Sequence, residues 1–117
     1  MFDDVVKGVL AELEDARCVV LAGRDGMVVA AAVAKGGPAA DVVAASFADL
    51  FRRVTAAHRD AGLSPPSEFT SVGTEGKAAV RQVAAQYVLM AVVAGNGSLG
   101  RTRFALLKAS EALQSEL

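Results

Sequence analysis

Cys18-Val19-Val20-Leu21-Ala22-Gly23-Arg24-Asp25-Gly26-Met27-Val28-Val29-Ala30-Ala31-Ala32-Val33 is the stretch on which the fold turns. Two runs of β-branched and small apolar residues flank Arg24-Asp25-Gly26. Asp-Gly between such runs signals a β-hairpin, because the turn needs residues that tolerate positive φ. A strand pair closed this tightly is antiparallel.

Outward from the hairpin, the chain alternates helix and strand signals. Before it, Phe2, Val5, Val6, Val9, Leu10 and Leu13 recur at helical spacing, which predicts a helix from about Phe2 to Leu13. After it, Gly36-Gly37-Pro38 breaks the chain and a long helix runs from about Ala39 to Ala61. Gly62 suits that helix's end, and Pro65-Pro66 bars its return. Residues 68–75 read as a strand, Glu75-Gly76-Lys77 as a turn, 78–84 as a second strand and Tyr87–Ala94 as a third. Tyr87-Val88-Leu89-Met90-Ala91-Val92-Val93 has no polar alternation, so it belongs at the centre of a sheet covered on both faces. Gly95-Asn96-Gly97-Ser98 leads into a last helix reaching Leu117. The expected order is helix, two strands, helix, three strands, helix: an α/β fold around an antiparallel sheet, in a single domain over residues 1–117.

Composition narrows the function classes. At 117 residues, 53% hydrophobic and 21% charged, the chain is neither a disordered tail nor a set of domains. A net charge of -1 offers no basic footprint for nucleic acid. The longest apolar run, Tyr87–Ala94, is far below the roughly 20 residues a membrane helix needs. The single cysteine, Cys18, and the acidic start Met1-Phe2-Asp3-Asp4 lead to an expectation of a reducing, cytoplasmic setting.

The motifs that resemble chemistry have simpler readings. Gly95-Asn96-Gly97-Ser98-Leu99-Gly100 spells GxGxxG between a strand and a helix. A dinucleotide site also needs a following strand with an acidic ribose ligand, and none follows. The glycines are expected to form a tight turn, with an anion at Gly97–Arg101 as the lesser alternative. Gly76-Lys77 lacks the rest of a phosphate loop. His58 is the only histidine and has no ligand partners at zinc spacing. Glu12, Glu14 and Asp15 read as a solvated helix end. No catalytic set, metal site or cofactor is expected.

The middle helix is the candidate functional element. Val43, Phe47, Leu50, Val54, Ala57 and Ala61 form one stripe, enough to seat the helix on its sheet. Beside it run Ala40, Ala44, Ala48, Phe51, Thr55 and His58. Together the stripes span about half the circumference, whereas one sheet needs an apolar arc of only ~100°. The second stripe is therefore expected to meet a second copy of the chain, with alanines allowing close approach. The strand Phe69-Thr70-Ser71-Val72-Gly73-Thr74 carries no charge and no proline, the usual protections of an edge. Phe69, Ser71 and Gly73 are expected to join the same homodimer interface. The polar side of the helix shows Asp49, Arg52, Arg53 and Arg59. Arginine without lysine suits recognition of a partner by paired hydrogen bonds.

The hairpin, the Ala-rich helix, and the Tyr-Val-Leu-Met-Ala-Val-Val-Ala strand running into Asn-Gly-Ser-Leu-Gly-Arg-Thr-Arg resemble the Roadblock (dynein light chain) family over essentially the whole chain. The bacterial Mgl-type regulators are the nearest look-alikes. The resemblance implies a profilin-like α/β/α sandwich with a five-stranded antiparallel sheet. It also implies pairing of two subunits through the middle helix and the following edge strand. Bacterial members bind small Ras-like GTPases, and some accelerate GTP hydrolysis without inserting an arginine finger. The chain has almost nothing beyond the core domain of the longer regulators, so binding is the expectation and activation is left open. The alternative is a small-ligand sensor of the same shape, which would show an apolar pocket between sheet and helix.

Overall fold

The computed structural model describes all residues, Met1–Leu117. Its elements run α1 (Phe2–Glu12), β1 (Ala16–Gly23), β2 (Val28–Val33), α2 (Ala40–Asp60), β3 (Glu68–Val72), β4 (Gly76–Val83), β5 (Tyr87–Ala94) and α3 (Leu99–Gln114). The strands form one antiparallel sheet in the order β2-β1-β5-β4-β3. The unalternating run Tyr87–Ala94 is indeed the middle strand.

The hairpin forms as its turn residues require. Gly26, at φ 91°, closes a tight turn in which its N–H donates to the Gly23 carbonyl at 2.9 Å. Asp25 Oδ1 accepts the Met27 N–H at 3.0 Å, and the Gly23 N–H donates to the Met27 carbonyl at 2.9 Å. Beyond the turn, the β1–β2 register slips between Leu21 and Ala22, a bulge that increases the twist of this edge.

Two apolar layers hold the sheet between helices. On one face α1 and α3 pack side by side, and Val6, Val9, Leu13, Leu106 and Leu113 meet Val19, Leu21, Leu89 and Val93. On the other face α2 alone covers Cys18, Val20, Ala22, Val80, Val88 and Met90. The α2 C-terminus closes with Leu63 N–H on the His58 carbonyl at 2.8 Å and Gly62 N–H on the Arg59 carbonyl at 3.1 Å. These paired bonds satisfy carbonyls that the helix would otherwise leave free.

The boundary between β3 and β4 differs from the sequence expectation. Residues 73–75 make the turn, closed by Gly73 N–H on the Gly76 carbonyl at 2.8 Å, and β4 starts at Gly76 opposite Ala94. The Lys77 ammonium, bound to the Gly97 carbonyl at 3.0 Å, ties this strand start to the α3 entrance. Ala84, at φ 53°, is the one non-glycine residue in the left-handed region. That conformation costs an alanine about 1 kcal/mol, partly offset in glycine by its looser unfolded state. Ala84→Gly is expected to raise stability by up to about 1 kcal/mol in urea unfolding.

Candidate interaction surface

Both apolar stripes of α2 exist, but it is chiefly the Ala44-Ala48-Phe51 row that seats the helix on its sheet. Ala44, Ala48 and Phe51 are 0%, 1% and 1% exposed, packed against the sheet of their own chain. They are therefore closed to a second copy, which withdraws these three residues from the expected interface. Ala40, Thr55 and His58, on the same line, are half-buried. The Thr55 hydroxyl donates to the Phe51 carbonyl at 2.9 Å, and His58 Nδ1 lies 2.8 Å from the Ser64 carbonyl. The alanines do permit a close approach, but of the helix to its sheet.

The other stripe runs from the rim of the core out to solvent. Val43 is buried, Phe47 and Val54 are half-buried, Leu50 is 39% exposed, and Ala57 and Ala61 are exposed. The rotation between expectation and structure is about one residue, ~100° around the axis. The β1–β2 turn explains which flank stays open. It lies against the opposite flank, where an added Cβ at Gly26 would sit 3.2 Å from Ala45 Cα and Arg52 Nη1 donates to the Arg24 carbonyl. Both stripes are apolar, so hydropathy alone could not choose between them. Side-chain size is the signal that could have: small residues belong where the helix presses closest.

Phe51 links α2 to the edge strand. Its ring stacks on Phe69 with centroids 5.8 Å apart and planes 20° from parallel, and the Arg24 guanidinium lies 5.8 Å from its centroid. Phe69 is thus half-buried, whereas Ser71 and Gly73 are exposed. No strand lies beyond β3. Of the two sheet edges, β2 carries a bulge that blunts pairing, while β3 keeps regular register from Glu68 to Val72.

Of the four charged candidates on α2, three come together. Asp49 accepts Arg52 Nη2 at 3.2 Å through Oδ1, and its Oδ2 lies 3.1 Å from Arg53 Nε. Arg59 stands apart near the helix end, paired loosely with Asp60 at 3.6 Å. All three arginines are exposed. Surface pairs of this kind contribute little to stability, about 0–1 kcal/mol, so a partner could exchange them at small cost.

The remaining motifs have structural roles. A Cβ at Gly95 would overlap the Thr74 carbonyl, so the β3–β4 turn can rest there only on a glycine. Gly97 is buried, and a Cβ there would sit 3.0 Å from the Ala94 carbonyl oxygen. Ser98 Oγ caps α3 by accepting the Arg101 N–H at 3.2 Å. The main clefts, of about 180, 290, 420 and 240 Å³, open on the surface and none is lined by the layer between α2 and the sheet. Cys18 lies in that layer, and burial pushes its thiol above the ordinary range. Its neutral form is favoured by the fold, so this contribution to stability is fully present below the unfolded thiol's range and is lost as pH rises from there through the raised range of the folded state. Iodoacetamide at neutral pH is expected to leave Cys18 unmodified in the folded protein and to label it fully in denaturant.

No family model and no curated protein matches the chain. Solved structures do match it over nearly its whole length. Myxococcus xanthus MglB superposes with a TM-score of 0.87 at 18% identity, covering 97% of this chain and 92% of that one. The gliding protein MglB of Thermus thermophilus gives 0.84 at 25% identity, covering 96% and 84%. A Roadblock/LC7 domain from Streptomyces avermitilis gives 0.86 at 14% identity, covering 97% and 95%. Profilin II of Acanthamoeba castellanii follows at 0.68 and 14% identity, covering 99% and 98%. The fold is therefore the profilin-like sandwich, in its Roadblock/LC7 form. Within that form the fold is MglB-like. No helix is long and apolar enough to cross a membrane.

Proposed function

We propose that the chain is a homodimeric, non-catalytic regulator or scaffold that binds a small Ras-like GTPase and biases its nucleotide state. The observation that carries the dimer is the open flank of α2 beside an unblunted edge. Phe47, Leu50, Val54 and Ala57 would meet the same row of a second copy, while Phe69, Ser71 and Gly73 lie on the strand that would continue the sheet. Two-fold symmetry makes such a patch self-complementary. The MglB-like fold supports the GTPase as partner, since the family that the sequence resembles binds such proteins. Asp49, Arg52, Arg53 and Arg59 lie on the solvent side of α2, where a paired dimer would present them twice.

A scaffold changes the GTPase only by binding one nucleotide form more tightly than the other. The test is titration of a candidate bacterial GTPase, loaded with GDP or with a non-hydrolysable GTP analogue, followed by calorimetry. A complex in the micromolar range that favours one form is expected. Equal affinity for both forms, or none at tens of micromolar, contradicts the reading. Arg52→Glu with Arg53→Glu is expected to weaken the complex at least about tenfold, through loss of charge-assisted bonds, while leaving the subunit number unchanged.

A further inference from the structure

Glu68, the first residue of β3, holds two arginines at once. Arg81 Nη1 from β4 donates to its Oε2 at 2.7 Å, and Arg103 Nε from α3 donates to its Oε1 at 2.6 Å. Glu68 and Arg81 are shielded, with side chains 26% and 21% exposed, and Arg103 lies at the rim. The hydrogen bond that Arg103 donates to Glu68, and then the Glu68 charge, hold the Arg103 guanidinium above its ordinary range.

The location of this cluster matters more than its strength. From Thr70 to Val72 the strand is exposed, and Val72 is 68% exposed. Beyond its ladder with β4, β3 is anchored at two neighbouring residues on opposite faces. Phe69 rests on Phe51 of α2, and Glu68 is gripped from α3. An edge strand with so few buried contacts opens locally at low cost. Its backbone can receive another strand only while it is held extended and in register.

We propose that Glu68 is a positioning residue for self-association, a charged clasp through which α3 holds β3 in the register that a second copy must meet. The proposal rests on the reading that β3 pairs across a dimer. Glu68 itself need not touch the partner. Its carboxylate fixes the start of β3, and the uncharged run that follows presents the pairing edge. The clasp also makes dimerisation depend on α3, because anything that draws Arg103 away from Glu68 loosens the edge.

The test is sedimentation equilibrium of the full chain and of Glu68→Gln, Arg103→Gln and the double variant. Each single substitution is expected to raise the dimer dissociation constant about fivefold, a size typical of a partly exposed ion pair. The double variant is expected to be no weaker than Glu68→Gln alone, because both substitutions remove one shared interaction. The wild-type constant should weaken with added salt more steeply than that of Glu68→Gln. A merely structural role would lower the thermal midpoint without changing that salt slope. A dimer whose constant ignores both substitutions, or responds to them additively, overturns the clasp and leaves the dimer standing. A wild type that stays monomeric overturns the dimer reading and the clasp with it.

Discussion

Ala48→Arg is expected to leave little folded protein. Ala48 is 1% exposed and sits where α2 presses on the sheet, in the layer with Val20, Val88 and Met90. An arginine there has no room and no counter-charge. Overpacking and an unpaired buried charge together cost more than about 4 kcal/mol. That is a large share of the roughly 5–15 kcal/mol by which a domain is stable. Circular dichroism in urea should show the midpoint collapse or the native signal vanish. A well-folded Ala48→Arg variant that is merely monomeric would return this stripe to an interface.

Leu50→Arg, only two residues away, should behave oppositely. Leu50 is 39% exposed on the open flank, so a long charged side chain can reach water without disturbing the core. The monomer is expected to keep its thermal midpoint within a few degrees, corresponding to about 0.5 kcal/mol or less for a surface change. Its self-association is expected to weaken at least about a hundredfold, since two like charges would face each other across a two-fold axis. Loss of the dimer with an intact monomer separates the two faces of one helix. If Leu50→Arg instead destabilises the monomer while leaving the subunit number unchanged, the flank is not the contact.

The pair of variants also marks where the sequence was readable. Asp25-Gly26 between two apolar runs forces a tight antiparallel turn, so the hairpin could be placed from local chemistry alone. The uninterrupted run Tyr87–Ala94 had to be buried on both faces, and β5 is the central strand. The rotation of α2 was harder. Two apolar rows lay side by side, and the choice was made by shape: a β1–β2 turn packed beside Ala45, and alanines facing the sheet. Such tertiary fit leaves no periodic signal.

The charged elements were the least legible. Arg103 near the start of α3 opposes the helix dipole, a small cost that an anionic neighbour offsets. Its partner is internal: Glu68, thirty-five positions earlier in the chain. Nothing local connects the two residues, because the sheet order that brings β3 beside β4 and α3 is set by long-range pairing. Gly95 was similarly ambiguous. Its role follows from the approach of the Thr74 carbonyl, which only the folded arrangement reveals.

Sedimentation equilibrium of the unmodified chain, from about 1 µM to about 100 µM, tests the central claim most directly. A mass twice that of the 12.0 kDa chain, reverting to one chain in Leu50→Arg, is the predicted result. A mass of one chain throughout the range would contradict it and leave the exposed flank of α2 without a second copy to cover it.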